Sequence, residues 1–87
     1  MTLHEISQLI GPWVDARWDT NDEQVRLAKL REEMTEVHRA INDGDGNVGE
    51  ELVDVIIVCC NIAHHRGINL DPVLMWKLPQ VLARPGK

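Results

Sequence analysis

The sequence predicts an all-α protein, a helical hairpin with short flanking helices that forms a four-helix-bundle-like core by homodimerisation. Apolar residues in the first half of the hairpin recur at intervals of three and four, which is the spacing of one helix face. The second half is apolar nearly all round, and a helix of that kind needs several neighbours to bury it. One chain of 87 residues cannot supply them, so we expect a second subunit to do so.

Two capping-box signals mark the starts of the first two helices. Residues 2–5 (T-L-H-E) place Thr at the N-cap and Glu three residues later, and they begin a short helix that ends near Ile10, before Gly11-Pro12. Residues 20–23 (T-N-D-E) repeat the signal with Thr20 as the N-cap, and the helix that they begin ends in the turn at residues 42–47. The apolar stripe of this second helix consists of Leu27, Leu30, Met34, Val37 and Ile41.

The segment from residue 50 to about residue 66 forms the second half of the hairpin. Its β-branched residues also suit a buried strand. Its length and the three-residue spacing of Glu51 and Asp54 favour a helix, because that spacing keeps both carboxylates on one face. We therefore predict a third helix that begins with carboxylates and is otherwise apolar.

The end of the chain predicts one more short helix. Gly67 fits the C-terminal cap of the third helix. Asp71 followed by Pro72 gives an N-cap and a first helical residue, and Pro79 ends the helix. Residues 1–87 then form a single domain, with a loose tail at about residues 79–87.

Composition and charge exclude several classes of function. The net charge of −5 argues against binding a nucleic acid polymer, because no excess of Lys and Arg offsets the repulsion of the phosphates. The longest apolar run, residues 55–60, is far too short to span a bilayer. The N-terminus lacks the architecture of a signal peptide. We expect a cytoplasmic protein that does not bind a membrane.

Two acidic clusters carry the functional signal. Glu32, Glu33 and Glu36 form an E-E-x-x-E pattern, and Glu51 and Asp54 form an E-x-x-D pattern on the next helix. A charged helix face is usually just solvated, but Asp54 lies within a run that should be buried, where an unpaired carboxylate is costly. Carboxylates on facing helices also repel one another unless cations lie between them. Magnesium-type cations take carboxylate oxygens together with substrate phosphates, so the pattern predicts metal-dependent phosphate chemistry.

Three further residues have both a structural and a functional interpretation. A buried Asn61 needs hydrogen-bond partners, which either the core or a substrate could supply. Trp13 and Trp18 either cover the core or stack on a nucleobase.

Residues 29–36 (K-L-R-E-E-M-T-E) and 50–55 (E-E-L-V-D-V) resemble the MazG-type all-α nucleoside triphosphate pyrophosphohydrolases. The resemblance extends over residues 13–78. It implies a hairpin that dimerises into a four-helix-bundle-like core, sometimes pairing further into tetramers. It also implies Mg2+, for which Mn2+ can substitute, held by carboxylates matching Glu33, Glu36, Glu51 and Asp54.

The resemblance leads us to expect a magnesium-dependent enzyme of nucleotide-pool housekeeping that cleaves (d)NTP to (d)NMP and pyrophosphate. Glu32 or Glu33 would accept the proton of the attacking water. Many members end in a Lys/Asn/Arg cluster that touches phosphates, of which only Lys77 matches here, and Pro79 interrupts the segment after it. Two alternatives stay open: hydrolysis of phosphoribosyl-ATP, or a catalytically idle helical dimerisation or regulatory module. The expected substrate contacts are Lys29, Asn61, Lys77, Trp13 and Trp18.

Overall fold

The computed structural model of the protein describes residues 1–19 and 21–86, which form four α-helices and, within those ranges, no strand. The helices are α1 (Leu3–Asp15), α2 (Glu23–Asn42), α3 (Val48–His65) and α4 (Leu70–Leu82). The predicted all-α class is confirmed, and α2 and α3 form the predicted hairpin. Helix α1 packs against α3 and also contacts α4.

Helix α1 starts as predicted but does not end at Ile10. The Thr2 hydroxyl accepts a hydrogen bond from the Glu5 amide at 3.1 Å, and the Glu5 carboxylate accepts one from the Thr2 amide at 3.0 Å. The helix then continues through Pro12 to Asp15. Gly11 explains this difference, because it lies buried against the His64 ring, where an added Cβ would come within 2.1 Å of His64 Cδ2. The Gly-Pro pair therefore serves close packing of α1 on α3 rather than ending the helix.

The N-cap of α2 is Asp22, not Thr20. The Asp22 carboxylate accepts a hydrogen bond from the Val25 amide at 2.9 Å, and the helix begins at Glu23. Thr20 itself lies outside the described residues. Asp and Thr are both good N-caps, and the sequence offers both within three residues, so spacing alone could not choose between them.

The buried face of α2 differs from the predicted apolar stripe. Its buried residues are Arg26, Glu33 and Ala40, at intervals of seven, whereas Met34 and Ile41 from the stripe are 54% and 62% exposed. The helix is therefore rotated so that polar side chains lie against its neighbours. This rotation places Glu33 on the side that meets α3.

Helix α3 is a helix rather than a strand, and it begins at Val48 with Asn47 as its N-cap. The predicted cap at its other end is confirmed, because Gly67 has φ +66° and the Ile68 amide donates to the Ala63 carbonyl at 2.8 Å. This left-handed conformation suits glycine, and it closes the helix as a Schellman-type turn does.

Helix α4 departs from prediction at both ends. Its N-cap is Asn69, whose side chain accepts from the Asp71 amide at 3.0 Å. The Asp71 carboxylate instead accepts from the His4 amide at 3.1 Å and so joins α4 to the start of α1. Helix α4 also continues through Pro79 to Leu82. Pro79 removes only the bond to the Met75 carbonyl, and Met75 is 72% exposed, so water can take the place of the missing donor.

The core of the single chain is small. The buried apolar residues are Ala40, Val58, Cys60 and Ala63. Leu52, Val53 and Ile56 of α3 each remain about half exposed. The burial of this helix by a second subunit thus stays a prediction. None of the described helices is both long and apolar enough to cross a membrane.

Candidate functional site

Three carboxylates from the two helices of the hairpin meet between them. Glu33 comes from α2, and Glu51 and Asp54 come from the first two turns of α3. One oxygen from each residue lies within 4.8 Å of the other two. Oxygens around an octahedral magnesium ion are at most about 4.2 Å apart, because each bond is 2.0–2.1 Å long. Only trans oxygens are that far apart, and cis oxygens around such an ion are about 2.9 Å apart. The three side chains would therefore have to move closer together to hold one ion.

Desolvation and charge repulsion raise the pKa of two of these carboxyls, Glu51 and Asp54. Desolvation raises the pKa of Glu51, and the neighbouring negative charges, Asp54 foremost, raise it further. Desolvation and the charge of Glu33 likewise raise the pKa of Asp54. A divalent cation would relieve this repulsion, as expected from the sequence.

Asp54 is exposed in the single chain, so its predicted burial depends on the second subunit. The apolar residues around it face outward because no second element of this chain covers that side of α3 within the described residues. A cation at this place is therefore indicated by the closeness of the carboxylates and not by the burial of Asp54.

Lys29 partly neutralises the cluster. Its Nζ lies 3.0 Å from Oε1 of Glu33 and 3.5 Å from Oε1 of Glu32. The hydrogen bond to Glu33 raises the pKa of the lysine. Glu32 is otherwise exposed and lies beside the three-carboxylate group without joining it.

Glu36, the fourth expected metal ligand, lies one turn farther along α2. Its Oε1 is 2.9 Å from Nη1 of Arg39, and it is not among the three carboxylates that meet. Its negative charge nevertheless contributes to the raised pKa of Glu51, so the two groups lie near one another. Breaking an ion pair with an exposed arginine costs little free energy, so Glu36 can exchange Arg39 for a metal ion.

A cavity of about 350 Å3 lies between α1, α2 and α3. Four of the five predicted substrate contacts line it: Trp13, Trp18, Lys29 and Asn61. The fifth, Lys77, lies exposed on α4, does not line the cavity and forms no ion pair within residues 1–19 and 21–86. Because Lys29 also contacts Glu33, the cavity adjoins the carboxylate cluster.

Trp13 and Trp18 form an aromatic pair at this cavity. Their ring centroids are 5.5 Å apart at an interplanar angle of 57°, and the Arg17 guanidinium lies 4.0 Å from the Trp13 centroid. Each indole is about half exposed, so neither is buried in the core. An exposed aromatic pair of this kind offers a flat apolar surface to a planar ligand.

Two buried polar groups also line the cavity. Asn61 is 7% exposed, and its Oδ1 has no hydrogen-bond partner among the described residues. Arg26 is 8% exposed, and its Nε is likewise without a partner in that part of the chain, although another guanidinium N–H donates to the Asn21 carbonyl. Arg26 was not predicted from the sequence. Arg26 lies seven residues before Glu33 and therefore on the same helix face, and this spacing was the sequence signal for its burial.

A polar network, also missed from the sequence, holds the ends of α1 and α3 together near the cavity. His65 Nε2 lies 2.8 Å from Oδ1 of Asp15. The same oxygen also accepts a 2.8 Å hydrogen bond from Nδ2 of the Asn21 side chain. The bonds from Asn21 and His65 lower the pKa of Asp15. Asn21 lines the cavity, so the network helps to position one of its walls.

The fold is thus an all-α hairpin that brings carboxylates of two helices together beside a cavity. The family model described as phosphoribosyl-ATP pyrophosphohydrolase matches residues 5–75, and the chain belongs to this family. The family's activity is that of a pyrophosphohydrolase, a hydrolase of phosphoric anhydride bonds, and it is typically metal-dependent. No curated protein and no solved structure matched the chain.

Proposed function

We propose that this protein is a magnesium-dependent pyrophosphohydrolase that cleaves (d)NTP to (d)NMP and pyrophosphate in nucleotide-pool housekeeping. The observation that carries the proposal is the position of Lys29, which lines the aromatic cavity and contacts Glu33 of the carboxylate cluster. A nucleotide whose base lay against Trp13 and Trp18 would extend its phosphates past Lys29 toward the carboxylates.

The carboxylates of Glu33, Glu51 and Asp54 would hold the magnesium, joined by Glu36 once it releases Arg39. When bound, the ion supplies positive charge that offsets the charge of the triphosphate and of the transition state. Lys29 is then free to move from Glu33 to a phosphate oxygen, because the ion takes over the neutralisation of that carboxylate.

Glu32 is the best placed acceptor for the proton of the attacking water. It neighbours Glu33 in the sequence, is exposed, and is not one of the three clustered carboxylates. The water oxygen forms a bond to the α-phosphorus while the bond from that phosphorus to the α,β-bridging oxygen breaks. The water proton passes to Glu32, and the bridging oxygen leaves with pyrophosphate.

The exposed apolar side chains of α3 and α4 support a homodimer, which could pair into a tetramer. Leu52, Val53 and Ile56 on α3 and Met75 and Trp76 on α4 are large, apolar and exposed in the single chain. Large apolar side chains exposed in such number are typical of interfaces between subunits. Sedimentation at micromolar concentration tests the assembly, and a stable monomer would contradict it.

The family match supports a second candidate, the hydrolysis of phosphoribosyl-ATP. That compound also contains a base and a triphosphate, so the same cluster and cavity could serve it.

Pyrophosphate release from the four dNTPs, the four NTPs and phosphoribosyl-ATP, with and without magnesium, separates the candidates. Release from dNTPs or NTPs supports the first, and release from phosphoribosyl-ATP alone supports the second. No release from any compound would indicate an idle helical module. Asp54→Asn should abolish the release, whereas Asp45→Asn, an exposed acid in the turn, is the matched control.

A further inference from the structure

The Arg17 guanidinium is held against the Trp13 indole by two contacts. Its central carbon lies 4.0 Å from the centroid of the ring, and Nη1 donates a 3.0 Å hydrogen bond to the Trp13 carbonyl. An arginine stacked on tryptophan is attracted electrostatically by the ring electrons. Arg17 is exposed and forms no salt bridge with a carboxylate of the described residues. The side chain is therefore directed toward Trp13 and not toward a neighbouring charge.

The indole of Trp13 is fixed from two sides. Arg17 lies over one face of the ring, and the Trp18 ring lies at a centroid distance of 5.5 Å and is tilted by 57°. That distance is within the range of favourable aromatic pairs. Trp13 lines the cavity, whereas Arg17 does not. The cavity therefore meets the indole on its other face or along an edge, where a planar ligand can contact it.

We infer that Arg17 is a positioning residue, which holds Trp13 in the orientation on which a base stacks and does not itself contact the ligand. This inference rests on the proposed function, in which the cavity holds the base of the substrate. Trp13 is about half exposed, so its side chain would be freer to turn without Arg17. Ordering a side chain during binding lowers the affinity, and a side chain that is ordered beforehand avoids this loss.

Arg17 differs in this respect from Lys29, the cation that lines the cavity. Lys29 contacts Glu33 of the carboxylate cluster, beside which the phosphates would lie. An arginine that bound phosphate would strengthen the binding of charged ligands alone. An arginine that orients Trp13 strengthens the binding of a nucleoside and of its phosphate by the same factor, because both contain the same base.

The experiment compares deoxyadenosine with dAMP, and thymidine with dTMP, by NMR titration of the protein in the presence of magnesium. The indole N–H signal of Trp18, which also lines the cavity, reports binding and does not require turnover. In Arg17→Met we expect the affinities for a nucleoside and for its monophosphate to fall equally, by about two- to tenfold. Arg17→Lys should restore part of the loss, because an ammonium keeps the charge but does not stack as a guanidinium does.

The dependence on Trp13 is tested with a second pair of variants. If Arg17 acts through the indole, Arg17→Met should have no further effect in a Trp13→Leu background. Both residues are exposed, so neither change removes a buried side chain. Arg31→Met, which removes an exposed arginine from α2, is the matched control and should keep the wild-type affinities.

A loss confined to the monophosphates would show that Arg17 contacts phosphate, and it would overturn the inference. Three other results would also overturn it: unchanged affinities in Arg17→Met, an Arg17→Met effect that persists without Trp13, or no binding of any of these compounds to the wild type at millimolar concentration. The expected pattern without pyrophosphate release from any substrate would leave the inference standing and refute the proposed function.

Discussion

The ammonium group of Lys29 lies 3.0 Å from Oε1 of Glu33, so the most buried carboxylate of the cluster is already paired with a positive charge. This pair joins the two halves of the site, because Lys29 also lines the aromatic cavity. The lysine and a divalent cation consequently compete for the same carboxylate.

Lys29→Met should tighten metal binding and weaken catalysis. Removing the lysine leaves the cluster more negative, and because the lysine side chain is half exposed we expect the magnesium affinity to rise about two- to fivefold. Turnover should fall because a phosphate contact is lost. Calorimetric titration with magnesium and steady-state pyrophosphate release measure the two effects. A variant with weaker metal binding would contradict the proposed competition.

Magnesium should stabilise the folded protein, and Asp54→Asn should remove most of that effect. At about ten times its dissociation constant, the ion adds ~1.4 kcal/mol, or about 6–11 °C of melting temperature for a domain of this size. Thermal unfolding followed by circular dichroism at fixed protein concentration measures the shift. Asp45→Asn should retain the full shift, and a wild type insensitive to millimolar magnesium would mean that the carboxylates do not bind the ion.

Arg39→Gln should increase the affinity for magnesium, because it releases Glu36 from its 2.9 Å ion pair. Glu36→Gln should decrease that affinity and abolish most of the turnover. In the double variant, which carries both substitutions, Arg39→Gln should not increase the magnesium affinity, because the Glu36 carboxylate that it would release is absent. Titration calorimetry on the three variants tests this. An Arg39→Gln effect that persists without Glu36 would show that Glu36 is not a ligand.

Asp15→Asn should destabilise the protein at neutral pH but not in strong acid. The hydrogen bonds from Asn21 and His65 lower the pKa of Asp15 from its usual value of 3.8, so its ionised form stabilises the folded state. That contribution is complete above the unfolded pKa and disappears as the pH falls through the lower folded pKa. Urea unfolding of wild type and variant at several pH values measures the difference. A stability gap that stayed constant down to about pH 2 would refute this role of the Asp15 carboxylate.

The sequence predicted the helices, the hairpin and the three carboxylates that meet, because the position of each residue on its helix depends on local spacing. Glu51 and Asp54 share a face in any helix. Helix ends were less predictable, since Pro12 and Pro79 are tolerated only because of the surroundings that the fold gives them. The burial of Arg26 was not predictable either, because it results from the rotation of α2 against its neighbours rather than from the apolar pattern.

The contact between Gly11 and His64 has a consequence for the cavity. A methyl group at position 11 would lie 2.1 Å from the His64 ring, whereas ordinary contacts begin at 3.4 Å. To make room, either the ring must turn away or α1 must lift from α3. Trp13, two residues further on, would move with the helix. Gly11 therefore lets α1 pack closely on α3, and the width of the cavity is set partly by a residue that does not line it.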